Sequence, residues 1–484
     1  MNNRSLTLFL LALPLGLMGL VHLLFAAVSH FVFHDHEEVD FLAPALVLMV
    51  CSMLLLLFKK RINPQSIGYR TALQYAVITW VAMGITGAIP IISVTGVSVT
   101  DGVFESVSAL TTTGATVLTG LDALPKTFLM YRQFLQWLGG LGVVIFVVAV
   151  LPMLNVGGMR LLKAETPGPI KDDKLTPRIA NTAHYLWMVY VSITLLCALA
   201  YFAGGMSVFD AIAHSFTTVS TGGFSTHDAS MGYFNNPSLL LISDVFMLAG
   251  AINFALHFRV WHSHKFFDYW RDEENRVFIV VVVVLTAAVA WILWRSQSYG
   301  SGGRTVNTAL FHVISFITST GYGASSFTEW PFIATFLLVL AGYLGGCAGS
   351  TAGGNKFVRN ILAFKYIGRE MQRLVHNWGL FSIHYQGRVI ENSVLNATMS
   401  FLFLTTITTI VLTLVLMATD LDFWSSLTAV AACVNVLGPA FGKLGSNFQP
   451  VSDAGTWVLS LAMILGRLEY FTVLALLSPL FWKR

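Results

Sequence analysis

Charge is what this sequence has least of. Lys, Arg, Asp and Glu make up 11% of its 484 residues, against about 25% in an ordinary soluble domain. A soluble fold needs a polar shell, and there is too little material here for one. Hydrophobic residues reach 55% and mean hydropathy is +0.71. That balance excludes a soluble enzyme, a nucleic-acid binder and a disordered scaffold. Cysteine is also sparse. Cys51, Cys197, Cys347 and Cys433 sit in apolar stretches without a CxxC pair, so they read as buried thiols rather than as a disulfide or metal framework. The 13 histidines are scattered, with no HExxH or zinc spacing. The stretch from Gly438 to Lys443 lacks the spacing and the following Ser/Thr of a phosphate-binding loop, and no strand–helix context surrounds it, so no nucleotide site is expected.

Long apolar runs are present instead. Leu6–Val28 and Val277–Trp294 hold no Asp, Glu, Lys or Arg, and about 18 or more apolar residues in a row read as a membrane span. Ten spans are expected, near 5–28, 41–58, 71–94, 128–154, 181–204, 236–258, 277–296, 331–357, 392–418 and 455–482. The first is read as a transmembrane helix, because its apolar run is too long for a cleaved leader and many spans follow. Of the 28 Lys and Arg, 22 fall at the two ends or in alternate loops, at 59–70, 160–178, 259–276 and 356–388. The positive-inside rule places those loops, and both termini, in the cytoplasm. The opposite face holds Asp35, Glu37, Glu38, Asp40, Asp101, Glu105, Asp122, Asp210, Asp228, Glu329, Asp420, Asp422 and Asp453. Acids there are expected to raise the local cation concentration.

An internal repeat organises the chain. Each copy is an apolar span, a short half-apolar segment, a small-residue tract and a second span. The tracts run through Thr111-Thr112-Thr113-Gly114, Val219-Ser220-Thr221-Gly222, Thr318-Ser319-Thr320-Gly321 and Asn435-Val436-Leu437-Gly438. Their first glycines, at 114, 222, 321 and 438, are 108, 99 and 117 residues apart. The short segments begin near Asp101, Asp210, Asn307 and Asp422, which suit helix N-caps. At about 1.5 Å per residue each would cross half a bilayer. The partially negative C-terminal ends of four such helices, converging on one axis, would favour a dehydrated cation. Irregular backbone at membrane depth is tolerated where it is buried in protein or lines a wet path. The tract carbonyls are then available to replace a cation's hydration shell. One tract alone would read as a turn between helices; four copies on one side read as a pore.

These residues carry a family resemblance. Thr111–Thr116, Tyr131–Gly142, Gly222–Asp228, Gly345–Gly354, Gly438-Pro439 and Gly466–Glu469 make the chain similar to the Trk/Ktr/HKT superfamily of potassium transporters, and within it to TrkH-type membrane subunits. The resemblance spans about residues 65 to 484. It implies an all-α polytopic membrane protein with four fused helix–pore-helix–helix repeats around a central pore. Repeats are expected at 65–178, 179–272, 273–388 and 389–484, after an extra N-terminal helix pair at 1–64. Function is then potassium ion uptake across a bacterial inner membrane, with proton coupling as one form of it. The sixteen tract residues just named become the K+ site. Gly114 occupies the position where a serine accompanies sodium preference in plant-like members, so K+ over Na+ is implied. Two departures stand out: the third tract reads Thr-Ser-Thr-Gly-Tyr-Gly, and the fourth reads Val434-Asn435-Val436-Leu437 where two Asn are common. A homodimer and a cytosolic TrkA-like partner with nucleotide-binding RCK domains are also implied. No nucleic acid is involved.

The stretch 342–354, with six glycines, lies inside the expected span 331–357. Within it Gly345, Gly346, Cys347, Ala348, Gly349, Ser350, Thr351, Ala352, Gly353 and Gly354 are the candidate gate residues. Close helix packing of small residues is one reading; so many glycines also predict an unwound intramembrane loop. The resemblance favours the loop and makes it the gate. Arg467 sits in mid-span, where insertion costs roughly 2.5–3.5 kcal/mol. Either a salt bridge to another span holds it, with Asp244 a candidate partner for Arg467 or Arg132, or it projects into the pore below the tracts. The resemblance supports the second. Lys356 could line the inner pore or anchor at the cytoplasmic interface, and anchoring is the expectation. Two other classes compete with a potassium pore. A secondary transporter, sodium-coupled for example, would use inverted repeats, and a membrane enzyme would show a clustered catalytic set.

Overall fold

The computed structural model describes residues 3–57, 69–149, 175–468 and 470–482. Several residues behind the sequence expectations fall outside these, among them Lys59, Lys60, Arg61, Arg160, Lys163, Lys171, Lys174 and Glu469.

The described residues are mostly helical. Two apolar helices, α1 (Asn3–Val28) and α2 (Glu38–Leu56), form an N-terminal hairpin. It packs on the rest through Tyr131, whose hydroxyl lies 3.0 Å from His22 Nε2 and whose ring meets Phe25 and Phe41 edge-on. The first repeat then follows as α3 (Tyr69–Thr95), the short α4 (Val99–Leu110), and α5 (Lys126–Ala149). The second is α6 (Leu175–Ala203), short α7 (Val208–Val219), α8 (Pro237–Ala251) and α9 (Phe254–Ser263). The third is α10 (Glu273–Arg295), short α11 (Gly302–Ile317), α12 (Phe332–Leu344) and α13 (Phe357–Val375). A two-stranded hairpin, β1 (His384–Tyr385) with β2 (Arg388–Val389), leads into α14 (Asn392–Met417). The fourth repeat finishes with short α15 (Phe423–Val434), α16 (Asp453–Leu468) and α17 (Tyr470–Leu477). Among the described residues, six helices are long and apolar enough to cross a membrane, or eight if each bent pair is one span.

Three expected spans are not continuous. Span 236–258 breaks at Ile252, and α8 and α9 are bent by 99°. Span 331–357 ends as a helix at Leu344. In span 455–482 the helices on either side of residue 469 are bent by 116°. Hydropathy counts apolar residues and is blind to where a helix stops. A glycine marks each break. Gly250, Gly342 and Gly466 lie one or two residues before the helix ends at Ala251, Leu344 and Leu468. A methyl group on Gly466 would overlap the carbonyl of Val434, and one on Gly250 would lie 2.8 Å from the carbonyl of Val219. On Gly342 it would meet the Leu437 side chain at 2.7 Å. In the first repeat Gly139 abuts the carbonyl of Leu110 in the same way. In the first, second and fourth repeats the second helix therefore approaches the end of its own short helix through a glycine. In the third, Gly342 abuts Leu437 of the fourth tract instead, and a methyl there would lie 3.9 Å from Phe316 O of its own short helix. Spacing in sequence did not reveal this.

The short helices start earlier than Asp101, Asp210 and Asn307 suggest. Their caps are Ser98, Ser207 and Ser301, which accept from the backbone N–H of Asp101, Asp210 and Arg304; only Asp422 caps as expected, accepting from Ser425. Asp101 and Asp210 occupy the third helical position. Each accepts a hydrogen bond from its cap serine hydroxyl, at 2.9 and 2.7 Å, a variant of the capping box, whose third-position side chain bonds to the cap backbone N–H instead. Asn307 is interior to α11.

Candidate functional site

Each short helix ends in the same hydrogen-bonded turn. After α4, Thr112 N–H donates to Ala109 O (3.0 Å) and Thr113 N–H to Ser108 O (2.9 Å). The same pair recurs as Thr221→Thr218 and Gly222→Thr217, Ser319→Phe316 and Thr320→Ser315, and Val436→Cys433 and Leu437→Ala432. This is the Schellman pattern, which needs a left-handed residue just past the helix. Thr112, Thr221, Ser319 and Val436 supply it at φ 58°, 52°, 55° and 56°. β-Branched residues are rare there, and the cost, about 1–3 kcal/mol each, is typical of functional sites.

The turns fix the register between tracts. Gly114, Gly223, Gly321 and Gly438 are equivalent, at φ 82°, 76°, 80° and 95°. The second tract therefore shifts by one from the sequence reading. Gly223 replaces Gly222 as the counterpart of Gly114. Val219 is the last residue of α7, its carbonyl accepting from Thr351 Oγ1 at 3.0 Å. The Gly222-Gly223 pair left that choice open in sequence.

Those four glycines close a ring. A methyl group on Gly114 would overlap the carbonyl oxygen of Gly222, one on Gly223 that of Thr320, and one on Gly321 that of Leu437. On Gly438 it would lie 2.6 Å from the carbonyl oxygen of Thr113. Each tract thus abuts the next, and the fourth abuts the first. Among the described residues, no backbone N–H donates to the carbonyls of Thr112–Gly114, Thr221–Gly223, Ser319–Gly321 or Val436–Gly438. Gly222 O is held from its side chain neighbour, Gln136 Nε2, at 2.7 Å, while Gln136 Oε1 accepts from Phe224 N–H at 3.1 Å. Tyr322, from the third tract, is fully buried, with its hydroxyl 2.5 Å and 3.1 Å from the hydroxyls of Thr217 and Thr218 on α7.

Beneath the ring lies the segment 345–356, without regular structure and largely buried, as the glycines predict. It touches three tracts. Thr221 Oγ1 is 3.3 Å from Thr351 Oγ1, Gly353 N–H donates to Ser319 Oγ at 2.5 Å, and Gly354 N–H donates to Asn435 O at 3.0 Å. The break after α8 receives it from the side: Ala251 O accepts from Cys347 N–H (2.9 Å) and Gly250 O from Thr351 N–H (3.2 Å). Helix rupture in one repeat thereby supplies acceptors for the loop of the next.

Arg467 makes no salt bridge among the described residues. Its guanidinium donates to Thr351 O and Gly139 O, both at 3.1 Å. Lys356, expected at the cytoplasmic interface, is half-buried and its Nζ turns back onto the carbonyls of Ala352 and, at 3.5 Å, Ser350. Two cations thus sit on three consecutive carbonyls of the loop. Asp244 partners neither arginine; it is buried and its oxygens accept no hydrogen bond among the described residues. Arg132 instead pairs with Glu105, both wholly buried. Glu105 also accepts from Thr116 Oγ1 (3.0 Å) and Val117 N–H (3.1 Å), so it braces the exit of the first tract and does not face solvent as an acid of the mouth. Asp35 is structural too, accepting from Thr127 N–H at 2.9 Å at the start of α5.

Comparison with known proteins now decides the family. The TrkH family model, described as cation transport protein, matches residues 40–483. The chain belongs to the TrkH family. A Trk system potassium uptake protein TrkH of Vibrio parahaemolyticus is 43% identical over 468 residues, 96% of each chain. Its Escherichia coli (strain K12) counterpart is 44% identical over 416 residues, 86% of each chain. The crystal structure of the potassium transporter TrkH from Vibrio parahaemolyticus matches with a TM-score of 0.92 and 40% identity over the whole of both chains. This TrkH-family chain is accordingly a multi-pass, all-helical membrane transport protein and not an enzyme.

One further tie joins two tract exits. His227 Nδ1 lies 2.5 Å from Asp122 and its Nε2 3.4 Å from Asp210, with Tyr233 stacked on the ring at 3.4 Å. Burial lowers the imidazole pKa, but the hydrogen bonds to Asp210 and Asp122 outweigh it, so the value stands raised. A raised histidine contributes stability below its unfolded pKa and loses it as pH rises through the folded value. Thermal stability in detergent is therefore expected to fall on going from about pH 6 through the raised value, and His227→Gln to flatten that slope. An unchanged slope in the variant would remove the assignment.

Proposed function

We propose that this chain takes up K+ across the bacterial inner membrane through the ring of four tracts, gated by the loop at 345–356. The observation that carries the reading is the closed ring, whose carbonyls accept from no backbone N–H among the described residues where the glycines of adjacent tracts meet, Gly222 O alone being held by the Gln136 side chain. All tract residues are uncharged, so selection would fall to carbonyl dipoles and not to acids. The Trk potassium uptake relatives support K+ as the ion. Charge sorting supports cytoplasmic termini, with K+ entering from the tract side and drawn by the inward-negative potential, about 2.3 kcal/mol per charge per 100 mV. The resemblance adds a homodimer and a TrkA-like cytosolic partner docked on the basic loops.

Arg467 restrains passage in this reading. At an effective dielectric of about 20, two unit charges 4 Å apart repel by about 4 kcal/mol. Arg467→Ala is expected to raise Rb+ flux into proteoliposomes by about tenfold or more, the equivalent of at least ~1.4 kcal/mol. Flux at or below the native rate would assign Arg467 to bracing alone. The reading as a whole is tested in cells lacking K+ uptake, supplied with a TrkA-like partner. Growth on low K+ and Rb+ uptake are expected, and failure of both would overturn it.

A further inference from the structure

Three acids in a row open α10, and each is engaged differently. Asp272 caps the helix through Asn275 N–H (3.1 Å) and accepts from Gln386 Nε2 (3.1 Å). Glu273 pairs with Lys365 and accepts from Gln386 N–H at 2.9 Å. Lys365 also donates to His384 O at 2.6 Å. The β1–β2 hairpin is thereby pinned to the start of α10 at several points. Glu274 points the other way and is 2% exposed. Its Oε1 accepts from Ala348 N–H (2.8 Å), inside the loop, and from Val358 N–H (3.0 Å), just past it. Its Oε2 is 3.5 Å from the hydroxyl of Tyr385, on β1.

One oxygen therefore ties the two limbs of the loop together, and the other touches the hairpin. Buried amides need an acceptor. In a glycine-rich segment with few side chains the fixed carboxyl group decides where those amides sit. We propose that Glu274 is a positioning residue that latches the 345–356 loop under the tracts and couples it to the hairpin at 384–389. Displacing the hairpin would draw Glu274 off Ala348 and Val358, and the loop would lose the contact that joins its limbs. The functional consequence rests on reading this loop as the gate; the latch itself does not.

Cys347 is a native reporter, 1% exposed and next to Ala348. The experiment uses the full chain in proteoliposomes with Cys51→Ser, since Cys51 is the exposed thiol. The rate of maleimide labelling at Cys347 and the Rb+ flux are both read. Glu274→Ala is expected to raise the labelling rate by about tenfold, the equivalent of ~1.4 kcal/mol in loop opening, and to raise flux. Glu274→Gln keeps a carbonyl oxygen for both amides and is expected to stay near native. Tyr385→Phe with Gln386→Ala, which leaves the loop intact, is expected to raise labelling to a smaller degree. That pair keeps the proposal open to refutation should Glu274→Ala fail to fold. Native labelling rates in a folded Glu274→Ala chain, or in the hairpin pair, would overturn the latch. Faster labelling without a change in flux would keep the latch and overturn the gate reading instead.

Discussion

Gly223→Ala is expected to abolish Rb+ uptake, by about 100-fold or more, the equivalent of at least ~2.7 kcal/mol. A methyl group there would overlap the carbonyl oxygen of Thr320, which belongs to the backbone of the next tract and has no rotamer to yield. The residue also sits at φ 76°, where a side chain adds strain. Because the ring is closed, a shift at this contact propagates to Leu437 and Thr113. Gly222→Ala is expected to be milder, since its methyl would meet the side chain of Gln136 at 2.5 Å. Uptake of Rb+ in K+-uptake-deficient cells distinguishes the two. If Gly222→Ala proves the more damaging, the register of the second tract returns to Gly222. Gly114→Ser strikes the ring at its first contact, against Gly222 O, and is expected to cost K+ over Na+ discrimination. Unaltered discrimination in that variant would remove the first tract from the ion site.

The second large effect concerns Glu105. Removing one partner of a buried ion pair leaves the other uncompensated, at a cost of about 3–5 kcal/mol. Glu105→Ala would leave the Arg132 guanidinium wholly buried over the Phe224 ring, at 4.1 Å, and would take the acceptor from Thr116 and Val117. A marked fall in thermal midpoint in detergent is expected, together with poor yield. Glu105→Leu combined with Arg132→Met removes both charges and is expected to recover most of the loss. Equal destabilisation in the single and double variants would show that the tract-exit hydrogen bonds, and not the charges, dominate.

Legibility followed the physics of each feature. Membrane residence was readable because apolar length and charge scarcity are one-dimensional quantities. The four tracts were readable because small-residue stretches ending in glycine recur at similar intervals. The loop at 345–356 was readable because six glycines within Gly342–Gly354 cannot sustain a helix. Register in the second tract was not, since Gly222 and Gly223 are adjacent and only the hydrogen bonds to Thr217 and Thr218 tell them apart. The left-handed positions themselves carry Thr, Ser and Val, which announce nothing in sequence. Glu105 read as a surface acid because the type of a residue does not reveal that Arg132, 27 positions on, faces it.

The sequence by itself determined that this is a helical membrane protein of four repeats with uncharged tracts, and it carried the family. Local propensity and hydropathy suffice for that. Only the tertiary structure decided that the tracts close into a ring, that α8 breaks to receive the loop, and that Arg467, Lys356 and Glu274 all bond to that loop or its flanks. Those are contacts between segments far apart in the chain, such as Arg467 and Gly139, 328 residues apart. They depend on which backbone groups are left without partners once the helices have formed, a quantity that exists only in three dimensions.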